Sequence, residues 1–174
     1  MRTNLLILPL LILTLLMSAC GFHLRGQGGT YTFPFQTLFI QAPNTNAPFI
    51  VDLKRTMQMY DIKIADSPEN AQLTLHIVSE IMSKQILSLN STGRVNEYQL
   101  NYRVSLRAFD RQLEEWVPAD EIVLQRYLSY DNTQILAKEM EETVLYQDMR
   151  KDAIQQILRR LNLAKAPQSP PRTN

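Results

Sequence analysis

The chain has 174 residues, 45% hydrophobic and 20% charged, with 18 basic against 17 acidic side chains for a formal net charge of +1. So slight an imbalance creates no global field to gather nucleic acid or an anionic bilayer, and any anion must be met by a local cluster. Five glycines, two histidines and one cysteine leave no material for a phosphate-cradling loop or a His/Cys metal cage, while the length suits one domain with a proper core.

The first segment is a leader. Arg2 supplies a positive start, Leu5 to Met17 form an apolar run broken only by Pro9 and Thr14, and the small residues Ser18 and Ala19 precede Cys20. The run falls short of the ~20 apolar residues of a spanning helix. Residues 1–19 therefore read as a bacterial lipoprotein signal, with Cys20 as the lipidation site and first mature residue. A lone thiol in an oxidising export compartment is otherwise an oddity, and acylation explains it. Three acyl chains at Cys20 would hold the protein firmly, since each buried methylene contributes about 0.8 kcal/mol. Gly21, where Asp would favour inner-membrane retention, points to the outer membrane.

Losing Arg2 with the leader leaves 17 basic and 17 acidic residues, in formal balance. Gly21, Gly26, Gly28 and Gly29 make residues 20–32 a flexible lipidated leash. His23 lies on it and His76 in a strand pattern; each reads as a surface or packing residue, and neither a metal nor a cofactor is expected.

Thr37 to Gln41 reads as a first strand. Asn44-Thr45-Asn46 offers a helix cap, Pro48 a first turn, and Phe49, Ile50, Leu53, Met57 and Tyr60 the apolar stripe of a helix ending before Pro68. From Ala71 the period becomes two, with Leu73, Leu75 and Ile77 on one face and a drift near Ile81-Met82 that implies a bulge. Asn90-Ser91-Thr92-Gly93 is a turn. Beyond it Tyr98, Leu100, Tyr102, Val104, Leu106 and Ala108 alternate with Glu97, Gln99, Asn101, Arg103, Ser105 and Arg107, a half-buried antiparallel strand with a wet outer face. Asp110 to Glu115 turns the chain into a fourth strand, Trp116 to Tyr130, broken by Pro118. Asp131-Asn132 caps a long helix with Leu136, Met140, Val144, Ile154, Ile157, Leu158 and Leu161 as its expected core stripe. Glu139, Glu141 and Glu142 near its start and Arg150, Lys151, Arg159 and Arg160 near its end suit the helix dipole, and the acidic trio reads as a solvated face. The expected fold is α+β, a two-layer sandwich in the order β-α-β-β-β-α, with a four-stranded mixed sheet carrying both helices on one face. The domain spans residues 33–164, and the Pro- and Ser-rich tail 165–174 is expected to be disordered.

Three features coincide along this chain: Cys20-Gly21-Phe22-His23-Leu24-Arg25, the strand opening Glu97-Tyr98-Gln99, and Tyr130-Asp131-Asn132 followed by Leu136-Ala137-Lys138. With the element order, and with Asp148 to Ala153 and Arg159-Arg160-Leu161 in the last helix, they resemble the LPS-assembly lipoprotein family LptE. The resemblance implies a non-catalytic outer-membrane lipoprotein that plugs an LptD-type β-barrel from the periplasmic side, helps that barrel fold, and binds lipopolysaccharide during its insertion into the outer leaflet. The lumen of such a barrel is polar and wet, so a plug should show a polar sheet face and no large exposed apolar patch.

The phosphates of lipopolysaccharide need charge-assisted donors. Arg94 at the hairpin tip, with Arg103 and Arg107 on one strand face, is the best local cluster, and the resemblance adds Lys138. An enzyme is the poorer reading: there is no His-Glu-x-x-His, no Gly-x-Ser-x-Gly and no usable Cys–His pair. The alternative that stays open is a structural accessory lipoprotein of another outer-membrane barrel or of a secretion complex.

Overall fold

The structure, a computed structural model, describes residues 31–165. The leader, Cys20, His23, most of the leash and the tail from residue 166 lie outside the described residues. Strand β1 is Thr37–Gln41, helix α1 Pro48–Gln58, β2 Lys63–Ile64, β3 Leu73–Leu89, β4 Val95–Phe109, β5 Glu115–Ser129 and helix α2 Ile135–Leu163. Short 3-10 turns at Pro68–Asn70 and Asn132–Gln134 join them. The sheet order is β2-β1-β3-β4-β5, with β1 parallel to both neighbours and the rest antiparallel. It is the expected α+β fold with five strands instead of four. The extra strand is two residues long, too short to show a period in the sequence.

The domain takes in the end of the expected leash. Tyr31 and Phe33 pack their rings against Tyr60, and Asn162 accepts the Thr32 amide at 2.8 Å. Helix α1 starts differently from its expected cap. Asn44 Oδ1 accepts from the Asn46 amide, making a turn of its own, and the helix opens at Ala47–Pro48 without a side-chain cap. Proline is suited to that first position because its missing N–H would have no helical partner. The helix stops at Gln58, short of Tyr60, because Asp61 takes a left-handed conformation (φ 61°) that turns the chain into β2.

The bulge in β3 also sits earlier than expected. Register shifts between Ile77 and Ser79, leaving Val78 as the extra residue. An added residue reverses which side chains face the core. Before it Leu73, Leu75 and Ile77 point inward; after it Glu80, Met82 and Lys84 stand beside the inward residues Val104, Tyr102 and Leu100. Ser79 and Glu80 hide the change in the sequence, so the apolar pattern seems to slip only at Ile81-Met82. In β4 the alternation is as expected, with Leu100, Tyr102, Val104, Leu106 and Ala108 buried. Pro118 and Ala119 of β5 face the single Arg107 at a break in the β4–β5 ladder. Proline is tolerated there because β5 is an edge strand.

Both helices cover one face. Phe49 of α1 meets Tyr102 edge-on at 6.3 Å, Arg150 of α2 reaches Asp52 of α1 at 3.7 Å, and Arg160 reaches Asp120 of β5 at 2.7 Å. Tyr102 is wholly buried, its hydroxyl donating to Glu80 at 2.6 Å, and burial first and the Glu80 carboxylate second push its phenol far above the ordinary range.

The core stripe of α2 is Met149, Ala153, Ile154, Ile157, Leu158 and Leu161. Leu136, Met140 and Val144, expected in it, are 72%, 65% and 53% exposed. They recur every fourth residue on one line of the helix, whereas Lys138, Glu142, Tyr146 and Met149 form the side that meets the sheet. The distal half of β3 is likewise less polar than expected, with Val78, Ile81, Met82, Ile86, Leu87 and Leu89 exposed. Because β1 ends at Gln41, β3 from Ile77 onward has a strand neighbour only in β4. No helix among the described residues is long and apolar enough to cross a membrane.

These assignments predict opposite outcomes for two truncations in one helix. Ile157→Ala should lower the unfolding free energy by about 2–5 kcal/mol, whereas Leu136→Ala should change it by less than about 0.5 kcal/mol, both read from urea denaturation.

Candidate functional site

The β3–β4 hairpin carries its tip to the start of α2. Asn90 builds that tip: its Oδ1 accepts from the amides of Thr92 and Arg94, each at 3.0 Å, and from the Thr92 hydroxyl at 2.7 Å. Its own amide donates to the Arg94 carbonyl at 2.8 Å, and Gly93 adopts φ 77°, which glycine alone takes readily. The tip is fastened to the end of β5. The Tyr130 amide donates to the Asn96 carbonyl at 2.8 Å, and the Tyr130 and Tyr98 rings pack edge to face at 5.2 Å. Lys84 lies 4.2 Å above the Tyr98 ring and forms an ion pair with Glu142 of α2.

Between these walls is a polar cleft of about 540 Å³ lined by Asn90, Arg94, Tyr130, Asp131, Asn132 and Lys138, among others. Arg94, on the hairpin, and Lys138, on the first turn of α2, are far apart in sequence and meet here. Lys138 has only 16% of its side chain exposed, and its ammonium donates to Ser129 Oγ at 3.2 Å and Glu141 Oε2 at 2.8 Å. Asp131 caps the 3-10 turn, its Oδ1 accepting from the Thr133 amide at 2.9 Å and the Thr133 hydroxyl at 2.8 Å. Those two bonds, in that order, and the nearby Lys138 charge hold its carboxyl below the ordinary range. The expected cap thus serves the turn before α2, and α2 itself begins at Gln134 without a side-chain cap. Among the lining residues the Arg94 and Lys138 side chains are the groups suited to an anionic oxygen.

Arg103 and Arg107 are elsewhere. Arg103 is nine positions along the extended strand from Arg94, roughly 30 Å. Both arginines stand on the outer sheet face. Arg103 is flanked by Ile81 and Val123, and Arg107 donates through Nε to His76 Nδ1 at 3.3 Å and stacks on Phe109. Burial first, then the Arg107 charge, depresses the His76 pKa, which keeps the ring an acceptor. The four expected donors are therefore one convergent pair and two separate arginines. The acidic trio divides as well: Glu142 pairs with Lys84 and Glu141 with Lys138, so two of its members are held in contacts. Another concavity, of about 590 Å³, lies between Trp116, Pro118, Arg160 and Leu163, but its arginine is already engaged by Asp120.

Residues 35–161 match the family model described as LptE, lipopolysaccharide-assembly. The chain belongs to the LptE family. It is 30% identical over 173 residues to the LPS-assembly lipoprotein LptE of Yersinia enterocolitica, covering 95% of this chain and 79% of that one. To the protein of the same name from Pectobacterium atrosepticum it is 28% identical over 165 residues, covering 92% and 86%. Its fold is shared with the solution structure of an uncharacterized lipoprotein B from Nitrosomonas europaea, at TM-score 0.68 and 41% identity over 80% of this chain and 88% of that one. The crystal structure of rare lipoprotein B from Shewanella oneidensis matches at TM-score 0.63 and 24% identity, over 71% and 91%.

The LptE match spans both walls of the cleft, the hairpin tip and the start of α2, and leaves Cys20 outside it. Membership in LptE places the chain in lipopolysaccharide assembly.

The Asp131 cap gives the site a measurable acid dependence. Its carboxyl binds a proton less readily in the folded state than at its ordinary value of 3.8, so its stabilising contribution is complete above that value and is lost as pH falls through the lowered folded value. Denaturation of wild type and Asp131→Asn across pH 2–7 (roughly the carboxylate range) should show a wild-type advantage at neutral pH that shrinks with acidification. An advantage that grows in acid would contradict the assignment.

Proposed function

We propose that this LptE-family protein is an outer-membrane lipoprotein, anchored through acyl chains on Cys20, that plugs and helps assemble an LptD-type lipopolysaccharide-translocating barrel and binds lipopolysaccharide through the Arg94–Lys138 cleft. It performs no catalysis. The convergence of Arg94 and Lys138 on one polar cleft, in a chain belonging to a lipopolysaccharide-assembly family, is the observation that carries this reading. Arginine and lysine are complementary donors for a phosphate, one a planar fork and the other a compact point charge. Arg103 and Arg107 serve at most as secondary contacts on the opposite face.

One further feature supports the plug and one constrains it. The outer sheet face carries exposed Arg103, Arg107, Gln125 and Tyr127 around Ile81 and Val123, a mainly polar composition suited to the wet lumen of a large barrel. The exposed aliphatic side chains of distal β3 and of the start of α2 depart from the patch-free exterior expected of a plug, and this reading requires that the barrel cover them.

The test uses the full-length protein in detergent. Reversing both charges, with Arg94→Glu and Lys138→Glu, should weaken lipopolysaccharide binding at least tenfold, because hydrogen bonds to charged groups contribute about 1.5–3 kcal/mol each. Circular dichroism should be unchanged, and Arg103→Glu with Arg107→Glu should have the smaller effect. Affinity purification through the C-terminal tail should recover an LptD-type barrel. Equal affinity of the double variant and wild type rejects the cleft, and recovery of a different barrel rejects the proposed partner.

A further inference from the structure

Lys138, one of the two cleft cations, already has a competitor for the anion beside the cleft. Lys138 Nζ lies 2.8 Å from Glu141 Oε2, one helical turn away, and 3.2 Å from Ser129 Oγ, while little of its side chain is open to solvent. An ammonium has three N–H donors; two are taken, one by a full negative charge. Glu139, the next residue on the helix, points away from Lys138 as i,i+1 neighbours do, and it has no cation within ion-pair distance among the described residues. Lys138 lines the cleft and Glu141 does not; the Glu141 carboxylate, from beside the cleft, takes up a donor that an incoming anion would need.

Resting on the lipopolysaccharide-binding reading above, we propose that Glu141 is a specificity-determining placeholder: its carboxylate holds the Lys138 ammonium from beside the cleft and must yield it to a phosphate group of the ligand. Two consequences follow from the chemistry. With Ser129, Glu141 fixes the position of the Lys138 ammonium. It also sets a threshold, because a monoanionic carboxylate ligand gains nothing by replacing another carboxylate, whereas a phosphomonoester brings about −1.5 to −2 charges and three acceptor oxygens.

The probe is lipopolysaccharide dispersed in detergent, titrated against the full-length protein. Glu141→Gln should tighten binding about two- to fivefold, the size expected for removing a partly exposed competing ion pair. Glu139→Gln removes the same charge from the same helix without freeing a cleft cation. Asp148→Asn breaks a pair of the same spacing, Asp148–Lys151, remote from the cleft. Both should leave affinity at the wild-type value. In a Lys138→Ala background Glu141→Gln should have no effect, and its gain should vanish with dephosphorylated lipopolysaccharide. Equal gains from Glu141→Gln and Glu139→Gln would reduce the effect to general charge and overturn the proposal, as would a gain that survives Lys138→Ala or dephosphorylation. No change with Glu141→Gln, while wild type binds and Lys138→Ala weakens, overturns the placeholder alone. Failure of Lys138→Ala to weaken binding overturns the cleft itself.

Discussion

The pairing of β3 with β4, and the extra residue at Val78 that sets its phase as far as Ile86, governs much of this structure. Before the bulge β3 faces the core with Leu73, Leu75 and Ile77; after it the same face carries Glu80, Met82 and Lys84. That change of parity brings Glu80 to the buried Tyr102 hydroxyl and Lys84 to the Tyr98 ring and Glu142. Without it those charges would point outward, and α2 would lose its ion pair to the hairpin. A one-residue slip in a strand transfers the side chains that follow to the other face, so the Lys84–Glu142 tie between hairpin and α2 depends on a choice made some distance from it.

Much of this architecture was legible before any coordinates, wherever apolar residues reported their own phase. The five inward residues of β4 from Leu100 to Ala108 and the Asn90–Gly93 turn follow from alternation and turn chemistry. Three features did not, each for a stated reason. β2 has two residues and no period. The Val78 bulge is masked by the polar Ser79 and Glu80. The stripe Leu136-Met140-Val144 has the right helical spacing for a core yet lies on the outward line of α2, because spacing identifies a face of a helix but not what that face meets.

The candidate site divides in the same way. Arg94 was placed by its position at a hairpin tip, and Lys138 came only from the family resemblance; no local pattern connects them. Their meeting depends on the lengths of β3 and β4 and on Tyr130 joining the end of β5 to Asn96. Arg103 and Arg107, grouped with Arg94 because they share its strand, are separated from it by the strand's own length and by the face they occupy. Shared strand and shared sign of charge are weaker guides than the closure of a tertiary contact. The Glu141 partner of Lys138 was hidden for a related reason: an acidic run on a helix reads as solvated until one of its members is seen to have a cation beside it.

The central claim is that lipopolysaccharide contacts the cleft between the hairpin tip and α2 and not the outer sheet face. The most direct measurement places a photo-activatable amino acid singly at positions 94, 138, 103 and 107 of the full-length protein in living cells and identifies what each captures. Positions 94 and 138 should cross-link lipopolysaccharide, with positions 103 and 107 capturing little of it. Capture at 103 and 107 equal to or greater than that at 94 and 138 would contradict the account.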